Sequence, residues 1–96
     1  MRKSDKKINN AIRISLTEVC EHFKGNVLGF MWLTHKVDFA KVNLSLQVTF
    51  MFATNESLWA AKREKHTDKM TALTVKLLAE HDIHMVNAVK QCRFET

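Results

Sequence analysis

The first regular pattern along the chain is a stripe of apolar residues at helical spacing. Its members follow one another at steps of four, four, three and four residues, which is the spacing of one face of an α-helix. They are Ile8, Ile12, Leu16, Val19 and Phe23. The stripe predicts an amphipathic helix over residues 8–24. The pair Gly25 and Asn26 is typical of a helix end, because these residues adopt the left-handed conformation most readily.

A second pattern is alternation with a period of two. Residues 42–53 alternate apolar with mostly polar side chains, which predicts a strand with one buried face. The apolar members are Val42, Leu44, Leu46, Val48, Phe50 and Phe52. Residues 28–37 are apolar and aromatic without a helical period and predict another strand. Residues 38–41 separate the two, which predicts an antiparallel hairpin, and because these residues include no glycine a loop longer than the tightest turns is expected.

Which side of the first strand is buried stays open at this stage. Alternation puts Phe30, Trp32 and Thr34 on one side, and it puts Met31, Leu33 and Val37 on the other. One set should pack under the helices with the face of Leu44, Leu46, Val48 and Phe50.

The last third of the chain predicts helix followed by a short strand. Thr54 or Asn55 can cap a helix that starts at residue 56. The polar run 62–69 separates two apolar stretches of residues 56–81, so this region is one helix or two, joined near residue 66 with Thr67 as an internal cap. Residues 87–94 predict a third strand.

The order of elements, α-β-β-α(α)-β, predicts an α+β fold in two layers, a three-stranded sheet with helices on one face. Ninety-six residues suffice for one domain. We expect a flexible basic arm over residues 1–7 and a single domain over residues 8–96.

Positive charge is the main pointer to a partner. The chain has 15 Lys and Arg against 10 Asp and Glu, a formal net charge of +5, which favours nucleic acid as the partner. The cations cluster in the arm and in the polar run, and they form the predicted nucleic-acid site: Arg2, Lys3, Lys6, Lys7, Lys62, Arg63, Lys65 and Lys69. Alternatively, the polar run is a solvated helix face balanced by Glu64 and Asp68.

Three aromatic residues, Phe30, Trp32 and Trp59, are candidates for an interaction surface. Each of the two tryptophans is either a core residue or a platform on which a nucleic-acid base stacks. An aromatic patch beside polar sheet residues, together with open sheet edges, is also what a homodimer or another protein partner would cover.

No catalytic motif is found, so we expect no enzyme, and neither a cofactor nor a metal is predicted. His81 and His84 have metal-compatible spacing and Cys20 lies close to His22, but a structural zinc site needs four ligands in recognisable pairs. The sequence shows neither a signal peptide nor a membrane-spanning apolar segment. We therefore expect a cytoplasmic protein whose cysteines, Cys20 and Cys92, are reduced.

Residues 8–21, 32–38 and 52–55 resemble a group of small proteins of marine gammaproteobacteria, some of which are labelled "Fis family". Fis-type DNA-binding domains end in a helix-turn-helix, whereas this chain alternates with period two in its middle, so no Fis residue is assigned. The order of elements, with Leu28-Gly29 opening a strand and Ala40-Lys41-Val42 leading the next, is similar to ribosome-binding factor A. That resemblance implies a KH-like fold and RNA binding, although the Gly-x-x-Gly loop of RNA-binding KH domains is missing.

These observations predict a small, non-enzymatic, bacterial nucleic-acid-binding domain, regulatory or ribosome-linked, with RNA or DNA as its partner. The alternative is a protein-interaction or homo-oligomerising module without a nucleic-acid role.

Overall fold

The computed structural model describes residues 3–96 and confirms the α+β fold. Over these residues the elements follow in the order helix, strand, strand, helix, helix, strand, with short helical turns before the second and third strands. They are α1 (Lys3–Phe23), β1 (Phe30–Lys36), a 3-10 turn (Phe39–Lys41), α2 (Val42–Ser45), β2 (Gln47–Phe52), α3 (Asn55–Arg63), α4 (His66–Ala79), α5 (Ala88–Gln91) and β3 (Cys92–Glu95).

The sheet has the strand order β1-β2-β3, with β2 in the centre. β1 runs antiparallel to β2, as the predicted hairpin requires, whereas β3 runs parallel to β2. Val48, Phe50 and Phe52 of β2 are buried against residues of α1 and α4, while the alternate residues of β2 are half-buried. The helices therefore lie on one face of the sheet, as predicted, and the opposite face carries the polar residues.

Helix α1 begins at Lys3, so the predicted start at Ile8 is wrong by five residues. Residues 3–7 of the predicted arm form the first turns of this helix, where Asp5 suits the positive end of the helix dipole. Met1 and Arg2 lie outside the described residues. The predicted stripe is confirmed, because its members from Ile12 to Phe23 are buried. The predicted end is also confirmed: Gly25 has a φ of +89° and the Val27 amide donates to the Phe23 carbonyl.

Because β1 contains a β-bulge, both of the faces predicted for this strand are wrong. Phe30 pairs with Phe52 and Trp32 with Met51, so Met31 is the extra residue between them. An extra residue reverses the alternation from that point onwards. Phe30 is consequently in the core, 6% exposed, and is not part of an interaction surface, whereas Trp32 lies on the opposite face of the sheet and is 46% exposed.

The second strand is shorter than predicted, because residues 42–45 form the helical turn α2. Local hydrogen bonds stabilise this conformation: the Asp38 carboxylate accepts from the Ala40 amide, and the Ser45 hydroxyl accepts from the Asp38 amide and donates to its carbonyl. Leu44, predicted on the buried face, is 62% exposed, whereas Leu46 is buried as predicted. The period-two pattern is thus confirmed only from Leu46 onwards.

The region after β2 contains two helices, which settles the alternative left open by the sequence. Thr54 caps α3 as predicted, in a reciprocal capping box with Ser57. Thr67, by contrast, is a buried residue inside α4 and not its cap. The predicted third strand is also shorter, because α5 occupies residues 88–91, where the Asn87 side chain accepts from the Lys90 amide.

Candidate nucleic-acid interface

Four of the predicted nucleic-acid-binding residues surround the junction between α3 and α4. We call them the basic corner: Lys62, Arg63, Lys65 and Lys69. All four are exposed, and none of them takes part in an ion pair found among residues 3–96. The neighbouring Glu64 carboxylate lies instead 3.0 Å from the His66 ring nitrogen. The junction therefore presents cations without neutralising partners of their own in the described part of the chain.

The backbone at the junction is set by a sharp turn. The Glu64 amide donates to the Ala60 carbonyl and the Lys65 amide to the Lys62 carbonyl, after which Lys65 adopts a φ of +62°. A lysine side chain has no acceptor, and α4 has no side-chain cap at this end. The first amides of α4 therefore have no side-chain cap, while the negative end of the α3 dipole and Asp68 in the first turn of α4 lie at the same junction.

Lys62 also lines a groove of about 530 Å³ on the flank of β3. The same groove contains Asp68, Val89, Cys92 and Phe94. Burial raises the pKa of the Cys92 thiol to about 11, and the nearby Thr71 hydroxyl has a weaker opposing effect. Because the thiol stays protonated at neutral pH, this part of the groove offers binding surface without a nucleophile.

The second predicted group of cations does not join the basic corner. Lys6 and Lys7 are exposed on the first turns of α1, and Lys7 lines a groove together with His81, which follows the end of α4. The basic corner lies at the start of α4. Since α4 has 14 residues, the two groups are separated by roughly 20 Å of helix.

The face of the sheet opposite the helices forms another polar surface, which we call the outer face. Eight residues from three strands compose it, all exposed or half-buried: Trp32, Thr34, Lys36, Gln47, Thr49, Met51, Arg93 and Glu95. A depression of about 300 Å³ on this face is lined by its polar members and by His35, but not by Trp32, which lies two residues before Thr34 on β1. Arg93 Nη2 is 3.9 Å from Glu95 Oε1. Lys36 and Arg93 were not among the residues predicted from the sequence, because each is a single cation in a strand rather than a member of a cluster.

Trp59 is 60% exposed on α3, so the alternative in which it is a core residue is wrong. It does not line the depression of the outer face. Of the three aromatic residues selected from the sequence, two are exposed, on different elements, and Phe30 is buried.

The groove between α1 and β1 holds a perturbed histidine. Burial and the nearby positive charge of Arg13 lower the pKa of His35 from its ordinary value of 6.5. Cys20, half-buried, lines the same groove, and both cysteines are free thiols. His84 Nε2 lies 3.1 Å from Asp82 Oδ1. Within residues 3–96 there is no group of three His, Cys, Asp or Glu side chains that is arranged to hold a metal ion.

Comparison with known proteins found no match to a family model, to a curated protein sequence or to a solved structure. The resemblances drawn from the sequence therefore remain predictions. Among the described residues, no helix combines the length and the apolar character needed to cross a membrane.

Proposed function

We propose that this domain binds nucleic acid, without catalysing a reaction, through the basic corner. The observation that carries the proposal is the exposure of Lys62, Arg63, Lys65 and Lys69 around one helix junction, with no ion-pair partner found for them among residues 3–96. As part of the same proposal, the domain works in the cytoplasm in a regulatory or ribosome-linked role.

Phosphate is the ligand chemistry that this arrangement favours. Lysine and arginine side chains bind phosphate oxygens, and the first backbone amides of α4 have no side-chain cap. Such contacts release counterions and are independent of base sequence. Phosphate contacts of this kind suit RNA and DNA alike, so both are candidate partners.

The test is a titration of fluorescently labelled RNA and DNA oligomers, single-stranded and duplex, at several salt concentrations. We expect Lys62→Gln or Arg63→Gln to weaken binding to all sequences about equally. Each change should also flatten the slope of log affinity against log salt by about 0.7 for single strands and about 0.9 for duplex DNA. Lys76→Gln is the matched control, because Lys76 is exposed near the opposite end of α4 and the change in net charge is the same.

Two results would contradict the proposal. One is the lack of any binding by the wild-type protein at low salt. The other is an equal effect of Lys76→Gln and Lys62→Gln, which would show that binding depends on the net charge of the domain and not on the position of the basic corner. A comparison with Lys7→Gln shows in addition whether the cations at the start of α1 contribute.

A homodimer is the second candidate function, because β1 is an edge strand that exposes both Met31 and Trp32. An open edge next to apolar side chains is a pairing surface for another strand. The mass measured by light scattering, at low and at high salt, separates the two candidates: an apolar dimer persists in salt, whereas phosphate binding weakens.

A further inference from the structure

The outer face combines one exposed aromatic ring with cations and small polar side chains. Trp32 is 46% exposed beside Met51. The next cross-strand row along the sheet contains Thr34, Thr49 and Arg93, and Lys36 follows at the end of β1. An indole that is nearly half exposed on a polar sheet surface offers a flat apolar face on which another aromatic ring can stack.

We propose that the outer face is a second nucleic-acid-binding surface, on which an unpaired base stacks against the indole of Trp32 and Lys36 and Arg93 bind the adjoining phosphates. This inference rests on the proposed function and names its substrate class, a single strand. Bases in a duplex are stacked on one another and paired, so they offer no free face to Trp32, whereas bases in a single strand do.

The dimensions and polarity of the surface fit this ligand. The depression of the outer face measures about 300 Å³ and is lined by Thr34, Gln47 and Thr49, whose side chains both donate and accept hydrogen bonds. Trp32 lies outside this depression but on the same face, two residues before Thr34. Lys36 and Arg93 line the depression as well, and Glu95 offsets only one of these two charges, at a distance of 3.9 Å from Arg93. The net positive charge complements a phosphate backbone.

A second copy of the chain is a poorer occupant of the same face. Around Trp32 and Met51 the surface consists of threonine, glutamine and charged side chains, whereas stable homodimer interfaces have an apolar centre depleted of charge.

β3 connects the outer face to the basic corner. Phe94 lines the groove that contains Lys62, whereas its neighbour Arg93 lines the depression on the outer face. β3 is an edge strand. One single strand of nucleic acid can therefore pass over this edge and contact both surfaces.

The chain provides its own reporter for the test, because it contains two tryptophans and no tyrosine. In the variant Trp59→Phe, Trp32 is the only indole; in Trp32→Phe, the matched control, Trp59 is the only one. Both variants are titrated with a single-stranded RNA oligomer and with a duplex of the same length. We expect the single strand to quench the fluorescence of Trp32 more strongly than the duplex does. The single strand should quench the fluorescence of Trp59 less than that of Trp32.

Affinities of further variants measure the contribution of stacking. Trp32→Ala should lower the affinity for the single strand by about 5- to 150-fold without changing the salt slope, and Trp32→Phe should retain most of the affinity because its ring still stacks. Lys36→Gln and Arg93→Gln should each flatten the salt slope by about 0.7. Urea unfolding of every variant checks that the fold is kept, and the fluorescence titration does not depend on the alanine variant.

The outcomes separate this inference from the proposed function. If the wild-type protein binds neither oligomer, the proposed function fails and the inference fails with it. If basic-corner variants weaken binding but Trp32 is neither quenched nor needed, only the inference is overturned. Equal affinity for single strand and duplex also overturns it. So does a light-scattering mass that falls from dimer to monomer in Trp32→Ala without a change in affinity, because the face is then a contact between copies.

Discussion

A single methyl group added at Gly29 tests how the start of β1 is joined to helix α3. Gly29 has a φ of +85°, and its carbonyl accepts a hydrogen bond of 2.8 Å from the Ala53 amide. A Cβ atom on Gly29 would lie less than 3.0 Å from Cβ and Oγ of Ser57, closer than real Cβ atoms come to other atoms. Ser57 cannot move away freely, because its hydroxyl group belongs to the capping box with Thr54.

The cost of Gly29→Ala has two parts. A positive φ costs an L-residue about 1–2 kcal/mol. Relieving the overlap by shifting Ser57 or the backbone costs about 1–3 kcal/mol more, in line with other overpacked sites. We therefore expect a loss of about 2–5 kcal/mol, a large part of the roughly 5–15 kcal/mol that stabilises a domain. Gly25→Ala is the matched control: φ at Gly25 is +89°, but nothing lies within 4 Å of the added Cβ, so only the first part applies.

Equilibrium unfolding in urea, followed by circular dichroism at 222 nm, measures both variants. The difference between them isolates the contact with Ser57. The double variant Gly29→Ala/Ser57→Gly should relieve the overlap, so that the positive φ is the only cost that Gly29→Ala adds to the single variant Ser57→Gly, which itself loses the capping box. Equal losses in Gly29→Ala and Gly25→Ala, or no recovery in the double variant beyond the additive sum, would refute the close approach of β1 to α3.

Three further predictions follow from side chains of the core and of the α1–β1 groove. Phe50→Ala should cost about 3–5 kcal/mol, because Phe50 is fully buried and stacks on Phe94 at 4.8 Å between ring centroids; a melting curve like that of the wild type would contradict this core position. A thiol reagent at neutral pH should modify Cys20 in the native protein and Cys92 only after unfolding, because burial raises the pKa of Cys92 to about 11; rapid native labelling of both thiols would show otherwise. The lowered pKa of His35 makes a contribution to stability that is fully present above its unfolded value of 6.5 and is lost as the pH falls through the lower folded value. Arg13→Gln should raise the folded pKa of His35 part of the way back, as measured by NMR titration of the ring proton, and an unchanged pKa would exclude Arg13 as a cause.

The fold was predicted correctly from the sequence where a single periodicity extends over several turns of a helix or several residues of a strand. The stripe of α1 and the alternation from Leu46 to Phe52 have a single solution, because only one face of each element can be buried. The prediction failed in residues 42–45, where hydrogen bonds between Ser45 and Asp38 stabilise a helical turn within a strand-like pattern. It also failed at Met31, because a bulge leaves no mark in the apolar pattern.

The two candidate surfaces also differ in how far they could be predicted from the sequence. The basic corner is contiguous in sequence, so its cations could be selected before the fold was known. The outer face is assembled from three strands, and Arg93 reaches Thr49 only through a parallel pairing across a long connection. No spacing in the sequence reports such a pairing. The sequence therefore offered Trp32 without the cations that surround it.

The parallel pairing of β2 with β3 also bears on the rate of folding. β1 and β2 pair across a short connection, whereas Val48 and Cys92 are separated by 92 − 48 = 44 positions that include α3 and α4. Closing a long loop costs more entropy than closing a short one, which favours late docking of β3. The chain contains no proline, so a slow refolding phase cannot come from prolyl isomerisation. We expect any such phase to report the docking of β3, and until that step β2 is an open edge at which two unfinished chains can pair.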